Sequence, residues 1–237
     1  MESLEAELDR ARSLSVGEIA DALEQIGFEC TDCGVCCRAD NGCGETADGG
    51  SDHTATIFPD EVRRIADQAE YDWRDVARPM PYGLDEDGTG GTFEWAIQTD
   101  DCGDCRFYDG SRETGGCTIY EDRPLICRTY PFSIALGGTS QPMGDPVERD
   151  GMVRAHECEG LGRSIEREQA EKLADQLKTR AIRELEEAIA VRDSYTPIPR
   201  SEELVVVHDS EGAKRPDGTW LKDDKTPADG KTFDGGR

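Results

Sequence analysis

Four cysteines fall within eight residues, Cys30-x2-Cys33-Gly34-x-Cys36-Cys37, in a chain that has ten. Thiols this dense on one short segment can reach a common centre without long-range folding, and the thiolate is the form that binds metal. Cys30, Cys33 and Cys36 have the Cys-x2-Cys-x2-Cys spacing that puts three thiolates on one cluster in bacterial ferredoxins. Gly34 lets the backbone turn tightly and aim amides at sulfur. Cys37 adds a constraint. In extended chain adjacent side chains point to opposite sides, so Cys36 and Cys37 do not easily hold the same ion. Either one is a spectator or two metals flank the segment, and the surplus of cysteines over the four of one site favours two. The later cysteines, Cys43, Cys102, Cys105, Cys117, Cys127 and Cys158, read as ligands brought in by the fold.

Hydrophobic residues make up 35% of the 237 and aromatics 6%, a lean core for the length. Bound metal then matters more, because its binding free energy is folding free energy. The formal charge is −25, from 52 acidic and 27 basic residues, and the few lysines all lie at Lys172 or later. Acid throughout, with Arg in place of Lys, suits a protein that stays hydrated in concentrated salt. In molar salt the Debye length is about 3 Å, which screens the self-repulsion. We therefore expect a cytoplasmic protein of a halophile; the rival is an acidic surface that mimics nucleic acid or binds a basic partner. No basic stripe exists to displace counterions from phosphates, so nucleic acid is not an expected partner. The acidic start, Met1 to Glu7, does not resemble a signal peptide, and no run approaches the ~20 apolar residues of a membrane span. In a reducing compartment the ten cysteines would stay reduced, which favours metal ligation over a disulfide framework.

Apolar periodicity predicts a helix over residues 2–28, from Leu4 to Ile26. Residues 38–52 read as loop. Pro59 to Arg78 reads as the next helix, with Pro59 in its first turn and Pro79 past its end. Phe93, Trp95 and Ile97 alternate with Glu94, Ala96 and Gln98, a half-buried strand after a glycine turn at Gly88–Gly91. Residues 101–160 carry the other cysteines in loops and short turns. A long amphipathic helix is expected from Ser164, as its cap, to Ala190. Leu204 to Val207 reads as a short strand paired through Asp217-Gly218 to Trp220, and the tail from Asp223 as disordered. The expected fold class is α+β: an N-terminal helix (1–28), a small irregular cysteine-rich metal-binding domain (29–162), a long helix (163–193), and short strands with an acidic tail (194–237).

Downstream of the first cluster the chain reads Cys102-Gly-Asp-Cys105-Arg-Phe, then Cys117-Thr-Ile-Tyr120-Glu-Asp-Arg123-Pro124-Leu-Ile-Cys127-Arg128-Thr-Tyr130-Pro131-Phe132, and ends at His156-Glu-Cys158-Glu-Gly160. With the first cluster, this set resembles the YkgJ-type cysteine-cluster family, zinc- or iron-chelating proteins named for their CxxCxxCC motif. The resemblance covers roughly residues 28–162. It implies metal or iron–sulfur binding, with Cys30, Cys33, Cys36, Cys37, Cys105, Cys117, Cys127 and Cys158 as the family cysteines. Cys43 and Cys102 lie outside its pattern, and Glu159 stands where relatives often carry proline. Some larger relatives look like flagellin lysine N-methylases, so family analogy adds metal-assisted methyl transfer.

Arg123 and Arg128 flank Cys127. They are candidates to offset thiolate charge and donate to cluster sulfur, against the plain alternative of salt bridges to surface acids. Tyr130-Pro131 is read as a plain turn more than a cis one, and Tyr120 and Phe132 as packing. His156 is the better histidine ligand candidate and His53 the weaker, although a surface histidine is the plainer reading; His208 has no assigned role. Cys43 could be a free thiol or a labile ligand. No nucleophile–base pair and no phosphate loop is present. The sequence thus points to an iron–sulfur protein in electron transfer with an unidentified redox or protein partner. A zinc module without catalysis is the alternative, since zinc and iron both accept four thiolates.

Overall fold

The structure is a computed structural model, and it describes residues 3–39, 52–111, 116–136, 146–147, 151–198 and 205–221. In chain order the elements are α1 (Leu4–Ser13), α2 (Val16–Ile26), β1 (Thr56–Ile57), α3 (Pro59–Ala69), α4 (Trp73–Val76), β2 (Ala77–Pro79), β3 (Gly90–Thr92), β4 (Trp95–Ile97), α5 (Leu125–Thr129), β5 (Phe132–Ile134), β6 (Val153–Ala155), α6 (Arg167–Ser194), β7 (Val205–Asp209) and β8 (Gly212–Lys214). Among the described residues, helices and three small sheets make this an α+β fold.

The expected helix over 2–28 is two helices. Leu14 leaves helical geometry, and the Ser15 side chain accepts from the Glu18 amide at 3.4 Å, restarting the chain as α2. Ser15 with Glu18 three residues on is an N-terminal capping signature inside the apolar periodicity. The expected helix from Pro59 to Arg78 likewise stops at Ala69. Glu70 is left-handed (φ 55°), and Asp72 accepts from the Arg74 and Asp75 amides to start the single turn of α4. Residues 77–79 then run as strand β2.

α1, α2 and α6 pack with the antiparallel β5–β6 pair around one apolar cluster. Its centre includes Ile19, Leu23, Leu177, Leu185 and Phe132, all at most 1% exposed. Alanines 170, 174 and 181 on α6 let the backbones approach closely. α6 starts at Arg167 with Glu166 as its cap, not Ser164, and runs on to Ser194. A second cluster lies over the sheet β1-β4-β2 and under α3, with Val62, Ile65, Val76, Trp95 and Phe107. β4 is central there, so Trp95, Ala96 and Ile97 are all buried, whereas Phe93 lies outside the strand and is half exposed. The alternation seen in sequence is therefore not a half-buried strand. The end of the expected glycine turn, Gly90 and Gly91, forms β3, which runs parallel to β7.

β7 pairs with β8 through the turn at Ser210–Glu211, and Lys214 bridges to Trp220 across the Asp217-Gly218 turn. Lys214 is 1% exposed and bonds Asp209 at 2.8 Å, which also accepts from the Trp95 indole at 2.8 Å. The ammonium lies 5.3 Å from the Trp73 ring centre and 5.0 Å from that of Trp220. This buried charge pair ties the third sheet to the second cluster. Residues 40–51 of the expected glycine–acid loop and the tail from residue 222 lie outside the described residues. Among the described residues no helix is long and apolar enough to cross a membrane.

Candidate metal centre

The first cysteine segment leaves α2 at Gly27 (φ 75°) and is pinned beside residues 158–162. Phe28 bridges Leu161, the Glu29 amide donates to the Gly160 carbonyl at 3.1 Å, and the Gly162 amide donates to Gly27 at 3.0 Å. Two left-handed residues, Asp32 (φ 53°) and Gly34 (φ 71°), then reverse the chain into a single 3-10 turn over Val35–Cys37. A side chain at position 34 would overlap the Tyr108 ring, so glycine is required both for its φ and for the ring above it.

Three further segments converge on this turn. The Cys105 amide donates to the Cys37 carbonyl at 2.7 Å. Tyr108 bridges Cys117, and the Thr118 amide donates to Phe107 at 2.8 Å, so a short hairpin-like loop carries Cys105 and Cys117 together. Cys127 lies on α5, which is held at both ends. The buried carboxylate of Glu61 accepts from the Leu125 amide at 2.9 Å, and the buried guanidinium of Arg180 donates to the Thr129 hydroxyl at 3.0 Å and the Phe132 carbonyl at 3.1 Å. Cys158 follows β6, and its Sγ accepts from the Gly160 amide at 3.4 Å. The Tyr130-Pro131 peptide just after α5 is cis, where the sequence favours a plain turn.

Eight cysteines are free thiols: Cys30 and Cys36 exposed, Cys105 buried, and Cys33, Cys37, Cys117, Cys127 and Cys158 in between. Cys102 is disulfide-bonded, which corrects the expectation that every cysteine stays reduced; Cys43 lies outside the described residues. The thiols sense one another. Cys36 is raised well above an ordinary thiol, first by its hydrogen bond with the Cys37 thiol, and Cys37 likewise, first by its bond with Cys105. Burial pushes Cys127 up, reinforced by Cys37, Cys36 and Cys117. Burial also raises Cys158, reinforced by Cys36, Cys33 and Cys30. The backbone at Cys36 and Cys37 is a 3-10 turn, not extended chain, and their thiols share a hydrogen bond.

Arg123 is the cation among these thiols. Its charge lowers the cost of ionising Cys36, Cys117 and Cys127, and its guanidinium lies 3.6 Å over the Tyr120 ring. Arg128 instead turns to the Arg123 carbonyl. Tyr120 is thus a platform for Arg123, while Phe132 is fully buried against Phe28 in the helical cluster. His156 is 5% exposed, not a surface histidine, and its Nε2 lies 3.1 Å from the Ser133 hydroxyl. His53 is the histidine beside the cysteine turn: its ring bonds the Cys36 backbone, and burial lowers its pKa. Tyr130 is pushed up to about 12, first by burial and then by the charges of Cys158 and Cys36.

Residues 29–159 match the family model CxxCxxCC, described as a "putative zinc- or iron-chelating domain". The chain belongs to the CxxCxxCC family. The matched span contains all eight free cysteines, so the family's chelating description falls on the segments gathered here. No curated protein and no solved structure matches the chain.

Chelation by this family member fits the donor set in its chemistry. Thiolates are soft donors for zinc and iron, and a bound dication offsets the burial that raises Cys117, Cys127 and Cys158. Among the described residues no three His, Cys, Asp or Glu side chains already surround one point as a bound ion requires. The backbone brings the donors to one neighbourhood, and side-chain rotation would have to close them on a metal. Glu61, Arg180 and Tyr108, which position Cys127 and the Cys33–Cys37 turn, carry no metal-ligand signature. Only Glu61, three residues after the cap of α3, has a local sequence signal.

Proposed function

We propose that the chain holds an iron–sulfur centre on its free cysteines and passes electrons to a protein partner. One observation carries this reading: eight uncross-linked thiols on four converging segments interact with one another across those segments. Cys30 and Cys36 lie at the surface, where a cluster could exchange electrons with a docked partner. Arg123 and the amide on Cys158 Sγ would tune its potential, since nearby charge and hydrogen bonds to sulfur set the potentials of such clusters. The charge of −25 supports the expectation of a cytoplasmic, salt-adapted protein with a partner that is not nucleic acid.

The zinc reading is favoured by one contact. Cys37 and Cys105 share a thiol–thiol hydrogen bond. Ligands of a single tetrahedral zinc stand about 3.8 Å apart, given Zn–S bonds near 2.3 Å. Cubane ligands, each on its own iron, stand further apart. Zinc here would be structural, with all four positions closed by protein. Methyl transfer rests on family analogy alone and gains no residue from the site.

Anaerobic purification with iron, zinc and sulfide analysis separates these readings. Iron with acid-labile sulfide and a visible absorption that bleaches on reduction supports electron transfer. Colourless protein with zinc and no sulfide overturns it in favour of the structural module.

A further inference from the structure

The eight thiols do not form one undivided group. Cys37, Cys105, Cys117 and Cys127 all pack against the same apolar cluster, with Phe107, Tyr108 and Ile119 among their neighbours. The Cys105–Cys37 backbone bond and the Tyr108–Cys117 bridge fix three of them, and α5 brings the fourth. Cys30, Cys33, Cys36 and Cys158 belong to neither apolar cluster. The Glu29–Gly160 backbone bond sets Cys30 beside Cys158, in a polar surround where Glu159 accepts from the Thr31 hydroxyl at 2.9 Å.

We propose that the chain binds two adjacent metal centres, an inner one on Cys37, Cys105, Cys117 and Cys127 and an outer one on Cys30, Cys33, Cys36 and Cys158, meeting at the Cys36–Cys37 peptide. This rests on the metal-binding reading and divides its ligands. Each set has four thiolates, the full complement of a tetrahedral ion or a cubane. Arg123 interacts with the charge of Cys30 from the outer set and of Cys127 from the inner. The sets differ in access. The inner one includes the buried Cys105, whereas the outer one has both exposed cysteines, Cys30 and Cys36. The outer centre therefore exchanges its metal first and is the one a partner can reach. The inner centre is shielded by the apolar cluster and serves to hold the fold.

Titration of the metal-free full chain with Co2+ under argon tests the division, because thiolate-to-cobalt absorption counts filled sites. The wild-type signal should saturate at two equivalents. Cys33→Ser and Cys105→Ser should each saturate at one four-thiolate equivalent. On challenge with a chromogenic chelator, the wild type should release metal in two phases, and Cys33→Ser should lack the fast one. Saturation of the wild type at a single equivalent, with both variants losing it, overturns the division while leaving metal binding intact. No uptake by the wild type removes the metal reading itself. If either variant fails to fold, as judged by far-ultraviolet circular dichroism, the wild-type end point still decides the count.

Discussion

The two apolar clusters are built by different means. Around α6 the chain does what any helical layer does: α1 and α2 lay amphipathic faces on a long helix, and small alanines allow close approach. Burying each large aliphatic side chain there contributes about 1.5–3 kcal/mol. Around Trp95 the elements are two to five residues long apart from α3, and four of the residues in or against the cluster are cysteines. Short strands and loops bury too little to hold themselves. What closes them is a buried charge pair at Lys214–Asp209 on one side and a gathering of thiols on the other. The helical layer is folded by burial, whereas the cysteine region is arranged by burial and, on the metal-binding reading proposed above, is completed by a cation.

Removing the metal should break this contrast open most widely. Calorimetry of chelated protein should show the cysteine region melting early while the helical transition survives. The loss is on the order of 10 kcal/mol, as for structural zinc in small domains; a single unshifted transition would contradict it. Next in size is Asp209→Ala, which leaves the buried Lys214 ammonium with Glu211 as its remaining carboxylate and the Trp95 indole without its acceptor. Denaturant unfolding should show a loss of about 3–5 kcal/mol.

Leu177→Ala, in the other cluster, should cost about 2–5 kcal/mol by opening a cavity under α6. Metal content should not change, and a variant that lost its metal as well would show that the two regions are one cooperative unit. The smallest expected effect is at Glu211, held at about 2 first by its hydrogen bond with Arg63 and also by Lys214. Its folded pKa lies below the unfolded value near 4.3. Its contribution is therefore present above about pH 4.3 and fades as pH falls towards about 2. Melting temperatures of Glu211→Gln should be flatter over that window than those of the wild type. The difference should be modest, because the pair is partly exposed and screened.

The same contrast explains what could be read from the sequence. The helical layer was legible through period: Leu8, Ile19, Leu23, Leu177 and Leu185 recur at helical spacing and are all in the core. Its errors lie where a local cap interrupts the period, at Ser15 and again at Asp72 beyond α3. The family motif carried the recognition of the cysteine segments, but their mutual placement was not in the spacing. Cys36 and Cys37 were read as extended chain, and they lie instead in a 3-10 turn after left-handed Gly34. The packing of Tyr108 on Gly34 and the reach of Arg180 from α6 to α5 are long-range contacts that no window of sequence contains. His156 misled for the same reason, since β5 supplies the Ser133 partner that buries it.

Regional hydrogen exchange of the full chain, metal-loaded and metal-free, tests most directly whether a cation completes the cysteine region. The account predicts that metal removal exposes the amides of residues 29–39, 105–111, 116–130 and 156–162, while α2 and α6 keep their protection. Protection of those segments that is unchanged by metal removal would contradict it.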